Sequence, residues 1–130
     1  MRLSVAAVIL ASVICDGSAG AATKSQYDRC VATAGVSDGA VASCVVDETI
    51  RQDNRLNVVY KRLLAVLEPD RQTKLRRAQR AWVVFRDRDD SFLTDTPEGT
   101  LDHLSRLQVY LENTKRRAEE LESELARVAP

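Results

Sequence analysis

The apolar residues in the last third of the chain follow the spacing of one long amphipathic helix. They recur at strictly alternating intervals of three and four residues, at Leu104, Leu107, Leu111, Thr114, Ala118, Leu121 and Leu125. This spacing puts them all on one side of an α-helix. Thr100 suits a cap or a first turn, so the pattern predicts a helix over residues 101–127. Coiled-coil dimers share this spacing, but the stretch holds too few heptads, which favours packing within the chain.

Two earlier segments show weaker helical patterns. The second segment starts at Ser37 or Asp38, either a good N-cap, and runs to Leu67. Its apolar positions are Val41, Val45, Leu56, Val59, Leu63 and Leu67. Polar residues crowd the stretch between Cys44 and Leu56, so part of it must be solvated. The third segment starts at Pro69, which a first helical turn tolerates, and its predicted apolar stripe is Leu75, Ala78, Trp82 and Phe85.

Helix breakers divide the chain into four segments. They occur at residues 35–39, at Pro69 and at residues 97–99, and a short first segment covers residues 25–34. Aromatic residues make up only 5% of the chain, and few turn residues are available for a β fold. The sequence therefore predicts an all-α fold, a small antiparallel bundle of one short N-terminal helix and three longer ones.

The N-terminus is typical of a secretory signal peptide. Residues 3–15 are uncharged, follow Arg2 and precede a run of small residues that includes Ala19, Gly20 and Ala21. The apolar run is shorter than the ~20 residues of a membrane span. We expect cleavage after Ala21, leaving residues 22–130 as one exported domain, periplasmic or secreted. Membrane attachment would require lipidation of Cys15, which the preceding Ile14 disfavours.

Two cysteines remain after the predicted cleavage. Cys30 and Cys44 are 14 positions apart, and an even count in an oxidising compartment predicts one disulfide. The bridge would close a loop of about 15 residues and contribute on the order of 3 kcal/mol. A metal site or a catalytic thiol pair is the alternative, but this spacing without a nearby His matches no ligand motif.

The charges balance overall but are unevenly distributed. There are 19 Lys and Arg residues against 19 Asp and Glu residues, which disfavours a nucleic-acid binder. The third segment is basic, with Arg71, Lys74, Arg76, Arg77, Arg80, Arg86 and Arg88. The segment after it is an acidic loop in this interpretation, with Asp87, Asp89, Asp90, Asp95, Glu98 and Asp102. Most such runs are solvated faces.

The acidic segment also allows a calcium hypothesis. Oxygen-bearing side chains at Asp87, Asp89, Ser91, Asp95 and Glu98 follow the ligand spacing of an EF-hand loop. Phe92 stands where that loop needs glycine, which argues against it. We predict no metal and no cofactor. Enzyme chemistry has little support either, because His103 has no Ser or Cys partner at a recognisable spacing.

Several motifs occur in an order that resembles the LprI-like lysozyme inhibitor family of small exported helical proteins. They are Cys30, Cys44, Glu48, the LN..Y element of Leu56, Asn57 and Tyr60, the run AQRAWVVFRD at residues 78–87, and Thr114, Arg117, Glu120 and Leu121. The resemblance covers nearly the whole predicted mature chain. It implies a helical fold, in which Asp87 and Asp89 are still helical. It also implies a protein inhibitor that blocks the substrate cleft of lysozyme or a related peptidoglycan hydrolase.

One departure from the family pattern concerns a second cysteine pair. The family carries one cysteine just after the RD element and another before the Thr that corresponds to Thr114, whereas this chain has Asp90 and Val109 there. The end of the third helix should therefore be less constrained. A different partner is then the alternative, and the chain would be a non-catalytic assembly or interaction factor of the cell envelope.

The motif residues have two interpretations. Trp82 and Tyr60 can fill the space between helices while polar neighbours hydrogen-bond across the seam, a structural role assigned to Leu56, Asn57, Tyr60, Gln79, Trp82, Arg86 and Asp87. Alternatively, Trp and Arg anchor a partner. For a lysozyme partner, acidic residues could steer association and an Arg could engage the cleft carboxylates. The candidate partner-binding residues are Arg71, Arg77, Arg80, Asp89, Asp90, Asp95 and Glu98.

Overall fold

Four helices account for almost all of the chain that the structure describes. The structure is a computed structural model and describes residues 24–94 and 103–129. The helices are α1 (Gln26–Ala34), α2 (Asp38–Val66), α3 (Pro69–Thr94) and α4 (His103–Val128), with no strand among the described residues. The predicted all-α fold is confirmed. The predicted signal peptide, Cys15, Asp95 and Glu98 lie outside the described residues.

Local sequence signals fix the helix ends. Ser25 caps α1 in a capping box, because its hydroxyl accepts from the Asp28 N–H at 3.1 Å and its own N–H donates to the Asp28 carboxylate at 3.0 Å. The side-chain and backbone hydrogen bonds from Ser25 lower the pKa of Asp28. Gly35 ends α1 with a φ of 63°, a conformation that glycine adopts without strain. Ser37 caps α2, and Pro69 is the first residue of α3.

The core lies between α2 and α4. Its buried residues are Leu56, Val59, Leu63, Leu67, Ala118, Leu121 and Leu125, and Tyr60, Leu75, Trp82 and Val128 pack against them. Both predicted apolar stripes therefore meet in one seam, where Leu63 and Ala118 are fully buried. Burying these side chains is the main favourable term in folding.

Successive long helices run antiparallel, so α2 and α4 run parallel to each other. Glu48 of α2 and Lys115 of α4 line one pocket. Seven residues later on each helix, Arg55 of α2 donates two hydrogen bonds to Glu122 of α4, at 2.7 and 2.5 Å. These bonds lower the pKa of Glu122. The α3 helix lies in the opposite direction. Its first turn places Arg71 against Glu124 near the end of α4. The bundle is therefore up-down-up.

The disulfide holds the short helix α1 against α2. Cys30 and Cys44 are bonded, with their Cα atoms 5.8 Å apart. No residue of α1 is fully buried, although Cys30, Val31 and Ala34 are half-buried. The covalent link therefore fixes a helix that contributes no residue to the buried core. None of the helices in residues 24–94 and 103–129 combines the length and apolar content that a membrane crossing requires.

Truncation of the central core leucine should strongly destabilise the bundle. We expect Leu63→Ala to lower the free energy of unfolding by about 2–5 kcal/mol, because it removes transfer energy and leaves a cavity. Urea unfolding followed by circular dichroism measures this change. Val58→Ala is the matched control on the same helix, since Val58 is 57% exposed, and it should change the value by less than about 0.5 kcal/mol. Equal effects of the two substitutions would contradict the assigned core.

Reduction of the disulfide should lower stability without changing any buried side chain. We expect the free energy of unfolding to fall by about 3 kcal/mol, because opening the loop restores conformational entropy to the unfolded chain. Comparing unfolding with and without dithiothreitol measures this difference. The same comparison on Cys30→Ser/Cys44→Ser is the control and should show none. An unchanged wild-type midpoint after complete reduction would contradict a stabilising bridge.

Candidate functional site

The contact between α3 and α4 centres on a stacked arginine. The Arg86 guanidinium lies 4.9 Å from the ring centre of Trp82 on its own helix and 4.5 Å from that of Tyr110 on α4. It also reaches Asp53 on α2 at 3.3 Å. Cation–π stacking is strongest where the cation is desolvated, and the Arg86 side chain is only 11% exposed. One side chain thus joins the three long helices.

Polar contacts between α3 and α4 extend along the helices on both sides of Arg86. Arg117 on α4 receives support from Gln79, whose amide oxygen accepts a 3.0 Å hydrogen bond, and its guanidinium lies 6.0 Å from the Trp82 ring centre. Towards the other end, Asn113 donates to Asp89 at 3.4 Å. The Gln79 and Arg86 side chains therefore bond across the helix seam.

The side of α3 that faces the bundle differs from the predicted stripe. Leu75 and Trp82 do pack against the core, but Ala78 is exposed and Phe85 is 54% exposed. The residues that face α4 are Leu75, Gln79, Trp82 and Arg86, at spacings of four, three and four. Hydrophobicity alone misses this face because half of its members are polar. The three- and four-residue spacing of Gln79, Trp82 and Arg86 is the sequence signal that does place these residues on one face.

The LN..Y residues lie in three environments. Leu56 is buried in the core and Tyr60 packs against it. Asn57 is exposed and donates to Asp53 on the same helix at 3.3 Å, so it makes no bond across the seam. Because its bond partner also holds Arg86, Asn57 supports the seam only indirectly.

The candidate partner-binding residues separate into engaged and free side chains. Arg71 pairs with Glu124. Asp89 bonds to Asn113, and Asp90 lies 4.0 Å from Arg106. By contrast, Arg77 and Arg80 are exposed and have no hydrogen bond or ion pair within the described ranges.

The first part of the predicted acidic loop is helical. Asp87, Asp89 and Asp90 belong to α3, which continues to Thr94. Assigning them to a loop from their charge was therefore wrong, whereas the helical state that the family resemblance implies for Asp87 and Asp89 is what the structure has. The reason is local, since charged residues are compatible with a helix and no breaker precedes Pro97. In a continuous helix the side chains of Asp87, Asp89 and Ser91 point in different directions, so they cannot all coordinate one ion. Within the described residues no group of His, Cys, Asp or Glu is arranged to hold a metal ion.

The two positions of the absent cysteine pair face each other. Asp90 and Val109 line the same narrow space between α3 and α4, together with Arg106. Where the family has its second disulfide, this chain therefore has an ion pair between Asp90 and Arg106, next to Val109. It leaves the Nε of Arg106 buried without a hydrogen bond, so this end of α3 is held more weakly than a disulfide would hold it.

The solvent-facing side of α3 combines cations with apolar side chains. We define the outer face of α3 by its exposed residues Arg77, Arg80, Ala81, Val84, Phe85, Arg88 and Phe92. Val84, Phe85 and Phe92 are 48%, 54% and 69% exposed. Exposed aromatic and arginine side chains on one face are typical of protein-binding surfaces. The prediction from sequence included Arg77 and Arg80 but missed the apolar residues.

A comparison with protein families finds one match. A family model described as "Lysozyme inhibitor LprI" matches residues 30–121, well over half of the chain. The matched stretch starts at Cys30 and ends at Leu121, so it contains the disulfide, all of α2 and α3, and most of α4. No curated protein and no solved structure matches the chain.

Replacing the stacked arginine should change both stability and a tyrosine titration. Burial raises the pKa of Tyr110, and the Arg86 cation opposes that rise. Arg86→Met should therefore raise the pKa of Tyr110 further and lower the free energy of unfolding by about 1–3 kcal/mol. Tyrosinate absorbance against pH and urea unfolding measure the two effects.

Two further variants separate charge from stacking. Arg86→Lys keeps the charge but loses the planar stack, so we expect a smaller pKa change than in Arg86→Met together with lost stability. Arg80→Met removes an exposed cation and should leave both values unchanged. Unaltered stability in Arg86→Met would contradict the central role of this side chain.

Proposed function

The chain belongs to the LprI lysozyme inhibitor family, and we propose that it is an exported inhibitor of lysozyme or of a related peptidoglycan-cleaving enzyme. The extent of the family match, residues 30–121, carries this proposal. The match includes the core between α2 and α4, the stacked Arg86 and the outer face of α3. It therefore concerns the whole bundle and not one isolated motif.

Inhibition is proposed to be steric. Lysozyme-type glycosidases place two carboxyl groups beside the scissile bond in a concave substrate cleft. A protein that fills the cleft excludes the polysaccharide, and this needs neither a cofactor nor a catalytic group. An arginine suits such a site because its guanidinium can bond a carboxylate through two N–H groups.

The free arginines of α3 are the proposed contacts with the cleft carboxylates. Arg77 and Arg80 are exposed and unpaired within the described part of the chain. If they bind a partner, no internal ion pair is broken. Arg71, by contrast, would have to leave its ion pair with Glu124. Asp95 and Glu98 remain proposed steering charges for a basic enzyme, since opposite charges accelerate encounter.

A lysis assay tests the proposed function directly. Peptidoglycan is digested by several lysozyme classes with the purified protein at equimolar ratio and at tenfold excess. We expect near-stoichiometric inhibition of one class, with an increased apparent KM for a soluble oligosaccharide and an unchanged kcat, because an occluded cleft excludes substrate. Absence of inhibition in every class would refute the proposal, and capture of a specific envelope protein would then support the assembly role.

Charge reversal tests the proposed arginine contacts. We expect Arg77→Glu/Arg80→Glu to weaken inhibition at least about tenfold, because a carboxylate facing the cleft carboxylates is repelled. Lys61→Glu/Arg62→Glu is the matched control, since these exposed α2 residues give the same change in net charge. Its effect should be less than about twofold. Full potency of the first variant would remove Arg77 and Arg80 from the site but leave the proposed function in place.

A further inference from the structure

The aromatic residues of the outer face of α3 lie along one flank of that helix. Near the start of α3, Lys74 and Ala78 on this flank line a groove with Leu63 and Leu67 of α2 and with Arg117, Glu120, Leu121 and Glu124 of α4. Phe85 is seven positions after Ala78, and Phe92 is seven positions after Phe85, so both share that flank of the helix. Beyond the groove, the flank therefore continues along α3 as an exposed apolar surface.

The N-terminal half of α2 also exposes apolar side chains. Asp53 bonds Arg86 and so marks the side of α2 that faces α3. Val46 lies seven positions before Asp53 and Ile50 lies three before it, which puts both near this side. They are 42% and 56% exposed. Val46 and Ile50 of α2, like Phe85 and Phe92 of α3, are thus large apolar side chains that the described fold leaves exposed.

The exposed charges beside these apolar residues are mainly positive, with Asp87 as the acidic exception, 3.5 Å from Arg86. Arg77, Arg80 and Arg88 are exposed on the outer face of α3 and unpaired within the described ranges. The carboxylates of Asp89 and Asp90 turn towards Asn113 and Arg106 of α4 instead. A complementary partner therefore presents carboxylates next to an apolar or aromatic wall.

We propose that α3 enters the substrate cleft of the inhibited enzyme along its length, with Phe85 as the apolar anchor and Arg88 beside it as an ion-pairing residue. A helix with its side chains is roughly 10–12 Å across and is convex, whereas a glycosidase cleft is concave, contains carboxylates and has apolar walls. Aromatic and arginine side chains supply most of the energy at such contacts. This assignment rests on the proposed inhibitor function and specifies which surface of the protein binds the enzyme.

The decisive experiment measures inhibition by variants of the outer face. The inhibition constant against the sensitive lysozyme is determined for the wild-type protein, Phe85→Ala, Phe92→Ala and Arg88→Glu. We expect at least about a tenfold loss for Phe85→Ala and Arg88→Glu, and a smaller loss for Phe92→Ala. Circular dichroism and thermal unfolding verify that each variant is folded, as expected for exposed positions.

Matched controls lie on the opposite side of α2. Val58 is 57% exposed, close to the value for Phe85, and Arg62 is an exposed cation. Val58→Ala and Arg62→Glu should change the inhibition constant less than about twofold. In the complex, hydrogen exchange should slow over residues 77–92 and remain unchanged over residues 54–62.

The possible outcomes separate the two proposals. Selective loss in the outer-face variants, with protection of residues 77–92, supports the surface. Full potency in those variants, or protection elsewhere, overturns the surface but leaves the inhibitor function. A wild-type protein that inhibits no lysozyme overturns both. Dissociation of a dimer by Phe85→Ala, without weaker inhibition, also overturns the surface because the face would then join two copies of this chain.

Discussion

The α4 helix has a single apolar stripe, and α2 occupies it. Leu121 and Leu125 of α4 are buried together with Leu56, Val59 and Leu63 of α2. Little of the stripe is left for α3, and none of its side chains that the structure describes is buried. Leu75 and Trp82 pack only at the edge of the core, so cation–π stacking and hydrogen bonds supply much of the attachment of the third helix. Both the polar seam and the exposed outer face follow from this competition for one stripe.

This arrangement gives α3 a reversed distribution of side chains. Arg86 and Gln79 face the bundle, while Phe85 and Phe92 face solvent. Solvent exposure of two phenylalanines forgoes the stabilisation that their burial would give. In a monomer this is unfavourable, so the pattern makes physical sense when a partner covers the face. In the proposed inhibitor, the two sides of one helix thus have different roles, one in stability and the other in recognition.

The sequence predicted the elements that depend on local chemistry or on a purely apolar pattern. The regular spacing around Leu111 and Leu121 located α4, Ser37 and Pro69 located two helix starts, and the cysteine count gave the disulfide. The orientation of α3 did not follow from the apolar pattern. The three- and four-residue spacing of Gln79, Trp82 and Arg86 puts them on one face, but only the contact of Arg86 with Tyr110 shows that this face meets α4. Phe85 was assigned to the apolar stripe because that stripe was selected by hydrophobicity.

The end of the bundle that holds the N-termini of α2 and α4 carries two links of different strength. A covalent bridge joins Cys30 to Cys44 there, and Asp90 near the end of α3 meets Arg106 of α4 at 4.0 Å, beside Val109. An ion pair at that distance contributes far less than a disulfide. The last turn of α3 is therefore joined to α4 by side-chain contacts alone, among them Leu93 in the same narrow space. Arg86 thus fixes the register of α3 in the bundle, while the turn that carries Phe92 depends on contacts that no covalent bridge reinforces.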